Sequence, residues 1–281
     1  MAQRFRSLVQ LDINTIEEIV ARPDRESQSG WRAGDAWLGG GTWLYSEPQP
    51  NLRRLIDLDG FGWPALTLSL DALVVSATAK IRELHDFEPP AGWRSGGLIV
   101  QCCEALLGSF KIWNMATVGG NMCLALPAGP MTSLAAGLDA TCVIWTADGG
   151  ERRMAAAEFV TGDRRTALGP GELLRAIELP VESFRARSAF RQMSLTPRGR
   201  SAALLIGLLH GDGRFALTIT ASTKRPVRLV FAGVPEAEEL AGSIAEAVPD
   251  ALLHDDIHGR SDWRRMLTFM LADEIRADLL A

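Results

Sequence analysis

Ala116-Thr117-Val118-Gly119-Gly120-Asn121-Met122, with Pro127-Ala128-Gly129 shortly after it, is the stretch that decides how this chain is read. Two adjacent glycines stand between a Thr-Val pair and an asparagine. Lacking Cβ atoms, glycines let backbone N–H groups approach a ligand closely and tolerate positive φ. Successive N–H groups in such a turn form a small anion-binding concavity suited to a diphosphate. Thr117 and Asn121 add side-chain donors at its rim. A second cluster, Leu38-Gly39-Gly40-Gly41-Thr42-Trp43-Leu44, repeats the chemistry. Each cluster follows an apolar run and carries a threonine, so the pair suggests one dinucleotide held from two sides. Taken alone, Gly39 to Gly41 is better read as a tight turn between two strands, because glycines punctuate turns, and Thr117 to Asn121 is as readily a hairpin turn.

Neither common phosphate motif is present. Gly39-Gly40-Gly41 lacks the G-x-G-x-x-G spacing of a strand-to-helix dinucleotide turn, and no G-x-x-x-x-G-K-[ST] loop occurs. Together, however, the two clusters resemble the loops of the FAD-binding middle subunit, or flavoprotein domain, of the molybdenum hydroxylases. That family includes xanthine dehydrogenases and aerobic carbon monoxide dehydrogenases. Its first loop reads like A-G-G-T/Q-[DS]-L, and its second A-T-[VI]-G-G-N-[IL]-x-x-x-x-P-x-[GA]-D. Thr161-Gly162-Asp163-Arg164-Arg165-Thr166-Ala167-Leu168, then Glu172-Leu173-Leu174 and Ile177-Glu178-Leu179-Pro180, resemble a third family segment. Asp255-Asp256-Ile257-His258-Gly259 through Trp263-Arg264 resembles a fourth, D-D-x-x-G-S-x-x-Y-R. The departures are Trp43 for a small or acidic residue, Pro130 for the aspartate of the second loop, and Trp263 for tyrosine. The 188–198 stretch also matches the family's basic segment poorly.

The resemblance implies an α+β fold like that of the p-cresol methylhydroxylase/vanillyl-alcohol oxidase FAD domain. Residues 1–180 would form it, as two α/β subdomains near 1–58 and 59–180, and 181–281 would form a smaller C-terminal α+β domain. It implies FAD as cofactor, with contacts from Leu38, Gly39, Gly40, Gly41, Thr42, Trp43, Thr117, Gly119, Gly120, Asn121, Pro127 and Gly129. Leu173 and Leu174 would lie near the flavin ring. It also implies two partners, a molybdopterin-containing large subunit and a [2Fe–2S] small subunit. Electrons would reach FAD from the latter and pass to NAD, oxygen or a quinone.

Composition narrows the alternatives. With 281 residues, 47% hydrophobic and 22% charged, the chain suits a globular protein with a sizeable core. A net charge of −5 and no dense basic run argue against nucleic acid. No run reaches the ~18 apolar residues of a membrane helix and Met1 to Arg6 precedes no apolar core, so a cytoplasmic location is expected. Cys102, Cys103, Cys123 and Cys142 have no C-x-x-C or zinc spacing, and are expected to be buried reduced thiols. Any iron–sulfur cluster would then lie on another chain. His85, His210, His254 and His258 form no cluster and are read as structural or surface groups. With no acid–base or nucleophile set of its own, the chain fits a cofactor carrier, in which the flavin supplies the redox chemistry. Two rivals remain: a stand-alone FAD oxidoreductase, and a flavin-free scaffold derived from the family.

Periodicity and turn chemistry predict a helix at 15–21, with Thr15 as cap and Glu18 as its box partner. Strands are predicted near 36–38, 55–58, 65–70 and 72–77, and a helix start at 80–85. Helices are predicted within 96–109, which puts Cys102 and Cys103 on a core face, and at 131–138. A hairpin should turn at Asp148-Gly149-Gly150. Beyond Pro180 three strands are expected (188–196, 202–210 and 214–222), the last two joined at Gly211-Asp212-Gly213. Helices at 235–247 and 263–280 close the chain.

Overall fold

A computed structural model describes residues 15–25, 28 and 30–281 of the chain; the extreme N-terminal stretch read for a leader lies outside them. Three short strands, β1 (Glu18–Val20), β2 (Asp35–Leu38) and β3 (Arg54–Asp57), form a parallel sheet in the order β1-β3-β2. The helix expected at 15–21 is therefore not formed. Glu18, Ile19 and Val20 pair instead with Arg54, Leu55 and Ile56. A helix of seven residues is marginal by itself, and the ladder with a distant strand outweighs the local capping pattern. Asp35, almost fully buried, anchors β2 by accepting from Arg54 Nε at 2.9 Å and from the Arg32 N–H at 2.8 Å. Burial alone would raise its carboxyl pKa, yet these donors hold it below the usual value.

The second sheet contains β4 (Leu66–Leu68), β5 (Ala72–Ser76), β6 (Thr141–Trp145) and β7 (Glu151–Ala155). After a small ribbon of β8 (Val160–Gly162) and β9 (Arg165–Thr166), the chain returns as β10 (Leu173–Pro180). This strand enters between β5 and β6, antiparallel to both, and completes the order β4-β5-β10-β6-β7. Helices α1 (Ile81–His85), α2 (Gly97–Ala105), α3 (Phe110–Met115), α4 (Val118–Leu124) and α5 (Pro130–Gly137) fill the long connection from β5 to β6. Every residue of α5 is buried. On α2, Cys102 and Cys103 are fully buried, as expected, and so is Cys142 on β6, whereas Cys123 on α4 is exposed and departs from the expected set of four buried thiols. Burial lifts the Cys102 thiol well above its ordinary pKa and pushes those of Cys103 and Cys142 up to about 12. These groups stay protonated and are poor ligands.

After α6 (Ala156–Phe159) and α7 (Val181–Arg185), the third sheet is an antiparallel meander. Its strands are β11 (Arg187–Ser194), β12 (Ser201–Leu209), β13 (Phe215–Thr220) and β14 (Val227–Phe231), in chain order. The turn at Gly211-Asp212-Gly213 forms as expected, with Gly213 at φ 91°. The fourth strand, β14, had no counterpart in the sequence reading. Leu204, Ile206 and Leu208 of β12 join the core beneath the second sheet, with α5 between. Ala203 and Leu205 face the other way, toward α8 (Ala237–Ala247) and α9 (Ser261–Leu280). Burial on both faces explains the unbroken apolar run of β12. Gly207 lets α9 settle there, since a Cβ would come within 2.2 Å of Ile275 Cγ2. Among the described residues no helix is long and apolar enough to cross a membrane.

One buried group makes stability depend on pH. His210 is 5% exposed and neither ring nitrogen has a hydrogen-bond partner. Burial pulls its pKa down, Arg214 and Arg228 add to this, and Asp212 and Glu182 oppose it. The folded state thus binds this proton less readily than the unfolded chain. Its contribution is unimpaired above the unfolded value of about 6.5 and is lost progressively as the pH falls below it. His210→Gln should therefore flatten the acid limb of a Tm-versus-pH curve between about pH 6.5 and 5. Parallel limbs in the two proteins would refute the assignment.

Candidate functional site

The two glycine clusters meet. Gly40 lies so close to the end of α3 that a Cβ on it would fall 1.6 Å from the Met115 carbonyl oxygen. A Cβ on Gly39 would lie 2.9 Å from Thr117 Oγ1. Side chains are thus excluded where the first loop crosses the second. Beyond this crossing the first loop closes as a tight turn, with the Tyr45 N–H donating to Gly41 O at 2.9 Å. Gly41 adopts φ 69°, a left-handed conformation for which glycine carries no penalty. Among the described residues, the N–H groups of Gly39, Gly40, Gly41 and Thr42 have no protein acceptor.

The second cluster is not the hairpin-like turn its glycines suggested. Thr117 is the N-cap of α4 and its Oγ1 accepts from the Gly120 N–H at 3.0 Å. Gly119 is buried in packing, because a Cβ there would lie 2.5 Å from the Ala77 side chain. Gly120 is exposed, and its Cβ direction meets nothing but Thr117 Oγ1 at 2.8 Å. Asn121 Oδ1 accepts from the Met131 N–H at 3.1 Å. It thereby caps α5, whose own N-cap position is Gly129 and whose first residue is Pro130. The side-chain amide N–H groups of Asn121 remain available.

A cavity of about 780 Å³ opens at this crossing, within the ~300–1,000 Å³ typical of ligand pockets. One wall is the first loop, Leu38 to Leu44, with Trp37 behind it; another is Thr117, Gly120, Asn121, Gly129 and Pro130. Ala105, Leu106, Leu107 and Ile112 add an aliphatic part to the lining. The last wall comes from the distant 181–281 region, as Thr196, Arg198, Gly199 and Arg200 between β11 and β12, with His258. No Asp or Glu lines the cavity, and neither Arg198 nor Arg200 is paired among the described residues. Free backbone donors, a missing Cβ at Gly120 and unpaired cations together suit an anionic ligand.

Four anticipated contacts fall elsewhere. Gly119 packs on Ala77, as above. Pro127 does not line the cavity; its carbonyl accepts from the Ala221 N–H at 3.0 Å and ties the second loop to β13. Leu173 and Leu174 belong to β10, opposite Trp145 and Ile144, and are 3% and 1% exposed. They are core residues, and what bears on the site from this segment is Glu172, which stands behind Trp37 and does not line the cavity. Its main-chain oxygen accepts from Trp37 Nε1 at 3.0 Å. Its carboxylate takes a two-point grip from Arg152, at 2.8 and 2.6 Å, which holds its pKa below the usual value. The brace fixes Trp37 and with it the approach to the glycine loop. Arg198, Arg200 and His258 were not anticipated; a basic Thr-Pro-Arg-Gly-Arg turn between two strands was the available signal.

Residues 36–182 match the family model described as FAD binding domain in molybdopterin dehydrogenase. The chain belongs to this family. FAD is accordingly the cofactor of this family member, which stands among oxidoreductases. Rice (Oryza sativa subsp. japonica) xanthine dehydrogenase is 28% identical over 134 residues, 45% of this chain and 10% of that protein. The glyceraldehyde dehydrogenase medium chain of Sulfolobus acidocaldarius is 26% identical over 152 residues, 54% of this chain and 50% of the relative. The matches thus span a tenth to a half of these relatives. In fold, the family member resembles a chain of carbon monoxide dehydrogenase from Hydrogenophaga pseudoflava, with a TM-score of 0.76 at 16% identity, covering 92% of this chain and 95% of that one.

Proposed function

We propose that this chain is the FAD-carrying electron-transfer subunit of a cytoplasmic molybdenum hydroxylase complex. The observation that carries the reading is the crossing of two glycine loops on one cavity, with unbonded N–H groups on the first loop and no Asp or Glu in the lining among the described residues. When bound, FAD supplies two-electron redox chemistry that no side chain here provides. In this reading Gly39 to Thr42 donate to its diphosphate, and Asn121 and Thr117 add side-chain donors. Gly120 leaves room for the phosphate groups, and Trp37, fixed by Glu172, keeps the loop in register. The aliphatic lining residues would exclude water from the apolar part of the cofactor. Residues 1–180 would be the FAD-binding domain, of the p-cresol methylhydroxylase/vanillyl-alcohol oxidase type with subdomains near 1–58 and 59–180. Residues 181–281 would be its C-terminal companion. A [2Fe–2S] subunit would deliver electrons, a molybdopterin-containing subunit would oxidise the substrate, and NAD, oxygen or a quinone would take the electrons away.

The test is direct. The purified chain should carry flavin absorption bands and release FAD on heating. Gly120→Val should lose the flavin while keeping its far-ultraviolet circular dichroism, because the isopropyl group occupies the diphosphate space. Full FAD content in that variant would refute the loop assignment. A wild-type chain that neither holds nor takes up FAD would favour the scaffold reading.

A further inference from the structure

The cavity wall made by residues 196–200 and 258 lies outside the 36–182 stretch that matches the FAD-binding family model. It brings formal charge, which the glycine loops lack. Arg198 and Arg200 are the only formally charged side chains in the lining among the described residues, and both are exposed. The chain as a whole has a net charge of −5, so an anionic ligand meets a repulsive surface nearly everywhere else. Other exposed arginines of this protein take a carboxylate: Arg32 pairs with Glu18, Arg153 with Glu178 and Arg260 with Asp262. Arg198 and Arg200 take none among the described residues.

The turn that carries them holds itself together without using either guanidinium. Gly199 N–H donates to Thr196 O at 2.8 Å, and Ser194 Oγ donates to the same oxygen at 2.7 Å. At its base Gln192 Nε2 donates to Ser201 Oγ at 2.8 Å, and Ser201 is 1% exposed. The backbone on either side of Gly199 is thus braced, while the two charges remain uncommitted. Two unpaired cations two residues apart repel each other, and an anion in the cavity relieves that repulsion. A cleft lined by one sign of charge also focuses its field and concentrates ligands of the opposite sign.

We propose that Arg198 and Arg200 supply the counter-charge for the bound dinucleotide, so that cofactor retention depends on the 181–281 region as well as on the glycine loops. The proposal rests on FAD occupying this cavity. The test is equilibrium dialysis of FAD, and of riboflavin as the phosphate-free probe, against the full chain. It is run at ionic strengths of about 0.01 M and about 1 M, between which the screening length falls from about 30 Å to about 3 Å. At low salt Arg198→Gln/Arg200→Gln should bind FAD about tenfold more weakly than wild type, the worth of two solvent-exposed charge pairs. High salt should erase most of that difference. Riboflavin affinity should be the same in both proteins, and so should Tm, because no hydrogen bond of the turn uses these side chains. Arg198→Lys/Arg200→Lys keeps the charge and should match wild type in affinity and salt dependence. FAD affinity and salt dependence unchanged in the glutamine variant would overturn the proposal. So would an equal loss of riboflavin, or a lysine variant as weak as the glutamine one, since either would mean packing or shape rather than charge. A wild-type chain that binds no FAD at either ionic strength would overturn the reading of the cavity itself, and this proposal with it.

Discussion

Gly40→Ala should abolish FAD retention. The added methyl carbon would stand 1.6 Å from the Met115 carbonyl oxygen, with Met115 C at 2.5 Å and Ala116 Cα at 3.1 Å. These are backbone atoms at the end of α3 and cannot rotate away as a side-chain tip could. The first loop must then lift off the second, and the donors of Gly39 to Thr42 move with it. Displacement of about an ångström at a positioning site costs on the order of a hundredfold, and overpacking destabilises by a further ~1–3 kcal/mol. Gly97→Ala is the matched control, because nothing lies within 4 Å of its Cβ position. Equilibrium dialysis with FAD reads the difference. Equal affinity in the two variants would mean that the loops do not need this contact.

Arg264→Met should cause the largest loss of stability. The residue is 1% exposed and its guanidinium is fully engaged. Nε donates to Gly259 O at 2.9 Å, Nη1 to Ala202 O and Ala221 O at 2.7 Å each, and Nη2 to Asp256 Oδ1. Methionine fills the volume but leaves three carbonyls and a carboxylate without their donor. Breaking such a buried arrangement costs about 3–5 kcal/mol, or roughly 10 °C in Tm for a chain of this size. Lysine should rescue little, since an ammonium cannot reproduce the planar fork. FAD affinity should fall as well, because Ala221 also holds Pro127 beside the second loop. A Tm within a degree or two of wild type would show that the buried cation is dispensable.

The same residues mark how far the sequence could be read. Gly39 to Gly41 and Thr117 to Asn121 announced themselves because a missing side chain is visible in sequence. Which glycine faces ligand and which faces protein is not: Gly119 and Gly120 are neighbours, yet one abuts Ala77 and the other the cavity. The 15–21 segment has a good capping pattern and still forms strand, because its partner at 54–56 supplies bonds that no local pattern encodes. Strand β14 went unread because Arg-Pro precedes it and its exposed face interrupts the apolar run. The stretch Asp255 to Arg264 reads as a motif, but that its arginine is a buried clamp emerges only once Ala202 and Ala221 are brought to it. Arg198, Arg200 and His258 reach the cavity through packing of the third sheet on α5, a contact between segments far apart in the chain.

The position of β10 has a consequence in time. Strands β4 and β5 leave the ribosome as one hairpin and β6 and β7 as another. Each keeps an open edge until residues 173–180 emerge to stand between them. Unpaired edges invite association with other chains, and pairing across long sequence separations is slow to nucleate. The nascent polypeptide is therefore vulnerable from the completion of β5 at Ser76 until β10 has emerged at Pro180. Glu172, which braces the glycine loop, arrives immediately before the closing strand, and the clamp at Arg264 only after all four strands of the third sheet. A fully gripped flavin thus cannot form before residue 264 has been made, and the supply of free FAD from that point on becomes a step in the maturation of the protein.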